Sequence, residues 1–224
     1  MDKKKLRNKI NELKPWYQQV DFGNGIIAES RHSKLSGEHT WNYVKQLLPE
    51  SLKGKRILDL GSNAGLFCIK TAQMEAKEVI GIEKEPKHLK QCAFLKEYFD
   101  VKNVKFINGN LENLSNMGLG NFDIVLAIAV LYWVGRSNAT KETHYNKNYR
   151  DIEINFIKYI TTITDYIIVK ARGKKYKYNN SIYYEKIFNE CGFDLKDLIV
   201  EKIDSDEYKI PPTHEVMSFV RRIV

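Results

Sequence analysis

The residues whose types and spacing point most directly to chemistry are Asp59-Leu-Gly61-Ser62-Asn63-Ala-Gly65 and, further on, Glu83. Two glycines four apart let the backbone turn sharply and approach a ligand closely. A carboxylate about 20 residues past such a turn can accept hydrogen bonds from a ribose diol. Together they predict a nucleoside ligand. The turn is not the G-x-G-x-x-G pattern that seats a pyrophosphate on a helix N-terminus, which favours a ligand without phosphates. S-adenosylmethionine (SAM) is one, and it brings a methionine carboxylate and ammonium instead. On this reading Asp59 accepts from the ammonium, directly or through water, or else serves as a structural acid at the helix start. Gly61 and Gly65, with Ser62 and Asn63 between them, pass beneath the sugar and the amino-acid tail. Glu83, followed by Lys84, receives both ribose hydroxyls.

Alternating strand and helix patterns must position these groups. Strands are predicted at 56–60, 78–82, 104–108, 122–128 and 165–171, and helices at 64–75, 86–98, 150–162 and 181–191. Such alternation implies parallel strands joined by crossover helices. Apolar runs such as Ile124-Val-Leu-Ala-Ile-Ala-Val130 suit strands covered on both faces. Strand candidates at 198–203 and 218–224 would form an antiparallel hairpin at the sheet edge, with 204–217 as its loop. The expected architecture is α/β: a Rossmann-like, seven-stranded, mostly parallel sheet with helices on both faces and that hairpin at its edge. Ahead of it, residues 2–14 read as a basic helix stopped near Pro15, and Thr40 as the cap of a helix through Leu48. The chain divides into a basic helix with a lid-like lead-in over 1–40 and a single domain over 41–224.

The 224 residues carry a net charge of +8. Residues 1–14 hold six bases against Asp2 and Glu12, and residues 170–178 hold Lys170, Arg172, Lys174, Lys175 and Lys177 with no acid. Clustered positive charge favours anionic partners, or simply keeps a solvated face soluble. There is no apolar run long enough for a membrane span. The three cysteines lack metal-ligand spacing, so no metal is expected. Few cysteines and no secretory signal fit a reduced, cytoplasmic setting.

With these motifs in order, the chain resembles a class I SAM-dependent methyltransferase over roughly residues 40–172. The resemblance implies cofactor contacts from the Gly61–Gly65 turn, from Glu83 and from the third-strand end Asn108-Gly-Asn110-Leu111, where Asn110 offers an amide oxygen to the adenine amine. It also implies that the fourth-strand end, near Ala127 to Val130, lines the sulfonium. Pro15-Trp16-Tyr17, Phe22-Gly-Asn-Gly-Ile and Val130-Leu-Tyr132 further resemble the tRNA wobble-uridine carboxymethyltransferase family and its shorter relatives. That family transfers a carboxymethyl group from carboxy-SAM to tRNA, and many of its shorter relatives resemble plain methyltransferases of small molecules or glycan precursors.

The remaining candidates surround the acceptor. Trp16 and Tyr17 either close over the adenine or the substrate as a lid, or anchor the N-terminal helix. Tyr132 and Trp133 lie on the rim where open α/β sheets bind ligands, Tyr132 as a candidate catalytic residue and Trp133 as a candidate substrate contact, or else as ordinary core packing. His144 is the candidate general base, with His39 as a second. Arg172, with Lys170, is the candidate partner of an acceptor anion. The expected activity is methyl transfer to oxygen of a small anionic metabolite or glycan precursor. The alternative is a tRNA-modifying methyl- or carboxymethyltransferase, so the partners are a small acceptor or RNA, and no membrane.

Overall fold

A computed structural model describes residues 1–31, 37–136, 148–173, 177–201 and 214–223. Helix α1 (Lys3–Glu12) leads into a short ribbon of β1 (Val20–Asp21) and β2 (Ile27–Ala28), followed by α2 (Glu38–Leu47). The main body then runs β3 (Arg56–Leu60), α3 (Leu66–Gln73), β4 (Glu78–Glu83), α4 (Pro86–Tyr98), β5 (Val104–Asn108), β6 (Ile124–Ile128), α5 (Asn148–Ile160), β7 (Tyr166–Ala171), α6 (Ser181–Glu190), β8 (Phe193–Glu201) and β9 (His214–Arg221). Two 3-10 turns, Leu111–Met117 and Leu131–Trp133, follow β5 and β6.

The seven-stranded sheet has the order β5-β4-β3-β6-β7-β9-β8. Strands β3 to β7 pair in parallel, and β9 pairs antiparallel with both β7 and β8. The edge hairpin expected from sequence is present. Its strands begin earlier than predicted, at Phe193 and His214, so residues 214–217 are strand rather than loop.

Strict alternation along the central strands builds a core on each face. Ile57, Val79, Ile124 and Leu126 join residues of α1 to α4, whereas Leu58, Ile80, Val125 and Ala127 join residues of α5 and α6. The chain leaves β3 toward β4 on one side and later returns to pair β6 on the other. This reversal opens a crevice at the carboxyl ends of β3 and β6.

The basic run at the N-terminus forms an amphipathic helix. Asp2 Oδ1 accepts from Lys5 N at 2.8 Å as its cap, and Leu6 and Ile10, four apart, are buried. Lys3, Lys4, Lys5 and Arg7 lie on its exposed side. Thr40 does not cap α2 as expected: the N-cap is Gly37, and Thr40 is buried in the first turn, its hydroxyl accepting from Lys170 Nζ at 2.6 Å. No helix among the described residues is long and apolar enough to cross a membrane, and no cluster among them could hold a metal.

Candidate cofactor site

The turn after β3 is held in shape by its neighbours. Gly61 has φ +68° and Gly65 φ +88°. A Cβ on Gly61 would sit 2.7 Å from Val130 Cγ2, and one on Gly65 would sit 2.6 Å from Phe106 Cζ. Both positions therefore require glycine, but only Gly61 lines the adjoining cavity. Gly65 packs the turn against β5, a correction to the expectation that it passes beneath a ligand. Ser62 is also buried behind the wall, its N–H donating to Ile82 O at 2.9 Å and so tying the turn to β4.

Glu83 ends β4 at the floor of the cavity. Its Oε2 accepts from Asn63 N at 2.8 Å, and its Oε1 accepts from Lys84 N at 2.8 Å and Glu85 N at 2.9 Å. His88 Nδ1 lies 3.6 Å from Oε1. Burial opposes ionisation here, but His88 and the backbone N–H groups outweigh it and hold the carboxyl below its usual range. A carboxylate has about four lone-pair sites, so by count one on Oε2 stays open toward the cavity.

Asp59 lies on β3 and is 1% exposed. Burial pushes its carboxyl up to about 7; the Cys68 thiol, donating at 3.2 Å, pulls it down, and the charge of Glu83 pushes it further up. A buried carboxyl of this kind is stabilised by an incoming cation.

The cavity itself measures about 450 Å³, within the usual range for a small-molecule site. Of the residues expected at the cofactor, Asp59, Gly61, Asn63, Glu83, Lys84, Asn110 and Leu111 line it. Asn110 Oδ1 accepts from Glu112 N at 3.2 Å and caps the following 3-10 turn, so its oxygen has one remaining lone pair for a ligand. Ala127 is a correction: it points into the core on the α5 side, and the wall is formed by Ile128, Ala129 and Val130. Ala129 holds φ +56°, a strained backbone for a residue with a Cβ.

Of the two roles open to Trp16, the structure gives the anchor and not the lid. The residue is 1% exposed and packs with Leu6, Ile10 and Phe22, its Nε1 donating to Ile10 O at 2.9 Å. It anchors α1 and does not line the cavity. Tyr17, the next residue, points the other way: it is 46% exposed and lines the cavity. Its phenol is pushed up by burial and by Tyr132 and is pulled down by Arg172.

Arg172, just past β7, places its guanidinium 4.8 Å from the centre of the Tyr132 ring. Tyr132 is buried beneath Trp133, whose ring centre is 5.4 Å away. Trp133, 54% exposed, is the member of that pair that lines the cavity. Lys170 is corrected as a substrate ligand. Alternation along β7 turns it toward α2 rather than the cavity, and its ammonium is buried against Thr40. His144, Lys174 and Lys175 lie outside the described residues. His39 lies off the cavity wall, its ring 5.3 Å from that of Tyr43.

Sequence reasoning missed Gln18, Phe67, His88 and Arg136, all of which line the cavity. His88 carried a usable signal, since it falls in the first turn of the helix that starts just after Glu83. Gln18 carried none, because its neighbours come from distant parts of the chain.

Residues 51–190 match the family model described as "Methyltransferase domain". The chain belongs to this family, and its fold is that of the class I methyltransferases. Among curated proteins, it is 30% identical over 129 residues to the tRNA U34 carboxymethyltransferase of Desulfotalea psychrophila, covering 57% of this chain and 38% of that protein. It is 28% identical over 121 residues to the enzyme of the same name from Campylobacter fetus, covering 54% and 40%. The chain thus spans less than half the length of these relatives. Among solved structures, the N-terminal domain of EvdMO1 with S-adenosylhomocysteine (SAH) bound superposes with a TM-score of 0.70 at 16% identity, covering 100% of this chain and 98% of that one. The magnesium protoporphyrin IX methyltransferase of Synechocystis PCC 6803 superposes with a TM-score of 0.57 at 18% identity, covering 81% and 75%. Both likenesses concern the fold.

Proposed function

We propose that this protein methylates an oxygen of a small anionic acceptor. The observation that carries the reading is the character of one end of the cavity. Tyr17, Trp133 and Arg136 line it there, and the Arg172 guanidinium stacks on Tyr132 directly behind. Aromatic walls with guanidinium groups suit a compact oxyanion bearing an apolar or planar body.

The donor set along the rest of the cavity fits SAM. In this reading the open site on Glu83 takes a ribose hydroxyl, Asp59 faces the ammonium, Asn110 and Leu111 meet the adenine, and Ile128 to Val130 pass beside the sulfonium. When bound, SAM supplies an already activated methyl group, so the protein needs little covalent chemistry of its own. The task of its residues is to hold an acceptor oxygen in line at near-attack distance. Arg136, on the cavity wall, draws in the acceptor's anion, the charge of Arg172 behind Tyr132 adds to the attraction, and Tyr17 and Trp133 exclude water around it. His144 takes the acceptor's proton as it is lost.

The test is a transfer assay with methyl-labelled SAM, offering a panel of small carboxylated and phosphorylated hydroxy compounds and, separately, total tRNA. Label in a small compound supports the reading, and label in tRNA alone overturns it.

A second reading, RNA-directed methyl or carboxymethyl transfer, is favoured by the 28–30% identity to tRNA U34 carboxymethyltransferases and by the exposed basic side of α1. It requires RNA binding that weakens steeply with salt.

A further inference from the structure

We propose that Gln18 binds the α-carboxylate of the cofactor's methionine end. Gln18 lies between two buried anchors of the N-terminal segment, Trp16 and Val20, and is itself 5% exposed while lining the cavity. Its Oε1 accepts from Leu66 N, the first residue of α3, at 3.3 Å. That bond fixes the orientation of the amide, because a backbone N–H must meet its oxygen and not its nitrogen. The NH2 group is then the end left for the cavity. Among the described residues it donates to no protein acceptor, and it is not one of the buried atoms sealed off without a partner, so it is open to the cavity.

The location matches the chemistry. Asp59 touches Cys68, in the first turn of α3, and Gln18 touches Leu66 in the same turn. The ammonium and carboxylate of a methionine tail share one carbon, so a donor for the carboxylate must lie beside the acceptor for the ammonium. The start of a helix adds partial positive charge, which favours an anion there. The segment is also fixed in place beforehand: Gln91 Nε2 on α4 donates to Leu13 O at 2.8 Å and to Pro15 O at 3.1 Å. The N-terminal segment, which lies outside residues 51–190 of the family match, thereby completes the cofactor site. This assignment rests on SAM as cofactor and is independent of the acceptor.

The test compares three ligands by calorimetry: SAM, decarboxylated SAM, and 5′-methylthioadenosine, which lacks the whole aminocarboxypropyl chain. Gln18→Met removes the donors at similar length. Gln18→Glu keeps an oxygen for Leu66 N but sets a negative charge against the ligand's carboxylate, so it separates loss of the helix contact from loss of the donors. Hydrogen bonds to charged groups contribute enough for both variants to weaken SAM roughly 10- to 100-fold. Decarboxylated SAM and 5′-methylthioadenosine should change less than about twofold with Gln18→Met, as expected when the deleted partner is already absent. Equal weakening of all three ligands, or no weakening of SAM, overturns the assignment.

Discussion

Asn63 and Glu83 are joined across the crevice: the Asn63 backbone N–H donates to Glu83 Oε2 at 2.8 Å. One residue belongs to the turn after β3 and the other to the end of β4, so a single hydrogen bond couples the shape of the turn to the position of the carboxylate. With Lys84 N and Glu85 N on the other oxygen, the carboxylate is oriented before any ligand arrives. Such preorganisation removes part of the ordering cost of binding.

Glu83→Ala should therefore weaken SAH binding while the sheet survives. The expected loss is that of one hydrogen bond to a charged group, about 1.5–3 kcal/mol. Calorimetry with SAH checks it, and a melting curve of the variant shows whether the fold persists. Affinity within twofold of the parent would mean that the nucleoside lies elsewhere.

Asp59 gives the site a pH dependence. Its carboxyl is raised to about 7 in the fold against an ordinary value of 3.8. The neutral acid is thus favoured by folding, and its contribution to stability is complete below about pH 4 and is lost as pH rises through about 7. Glu153, raised to about 7 chiefly by burial, acts in the same direction. Asp59→Asn should accordingly raise the melting temperature of the ligand-free protein at pH 8 and leave it nearly unchanged at pH 4. A cation binding beside Asp59 favours its charged form, so SAM affinity should rise with pH up to about 7 and then level, with proton release below 7. Titrations at pH 6 and 8, in buffers of different ionisation enthalpy, measure both effects. Proton uptake on binding would contradict the placement of the ammonium.

Trp16→Phe separates an anchor from a lid. Losing the Nε1–H bond to Ile10 O should cost roughly 1–3 kcal/mol of stability, seen as an earlier urea midpoint. SAH affinity should stay within about twofold. A tenfold weaker complex with unchanged stability would restore the lid.

Gly65→Ala should destabilise by on the order of 2–4 kcal/mol, combining backbone strain with overpacking. Shortening the ring it would strike, with Phe106→Leu in the same chain, should recover part of the loss but not the part due to φ +88°. Full recovery in urea unfolding would show that the backbone conformation costs nothing there.

Local patterns in the sequence reached most of the fold. The buried strand, glycine turn and carboxylate at 57–83 are contiguous, and each element's period is visible within it. Errors arose where one residue's step along a strand decides its face. Ala127 and Lys170 sit in strands correctly placed, yet each points away from the cavity, Ala127 toward α5 and Lys170 toward Thr40 on α2. Trp16 and Tyr17 looked equivalent as an aromatic pair, but only packing against Leu6 and Ile10 decides which one turns inward. Gln18 was invisible because its partner, Leu66, lies 48 residues away and no local pattern links them.

Native mass spectrometry of the freshly purified protein tests the central claim most directly. The account predicts a bound mass equal to SAM or SAH, retained in the parent and lost in Glu83→Ala. Carboxy-SAM in its place would contradict methyl transfer and make carboxymethyl transfer the activity. A ligand-free protein that also fails to bind added SAM would contradict the cofactor site itself.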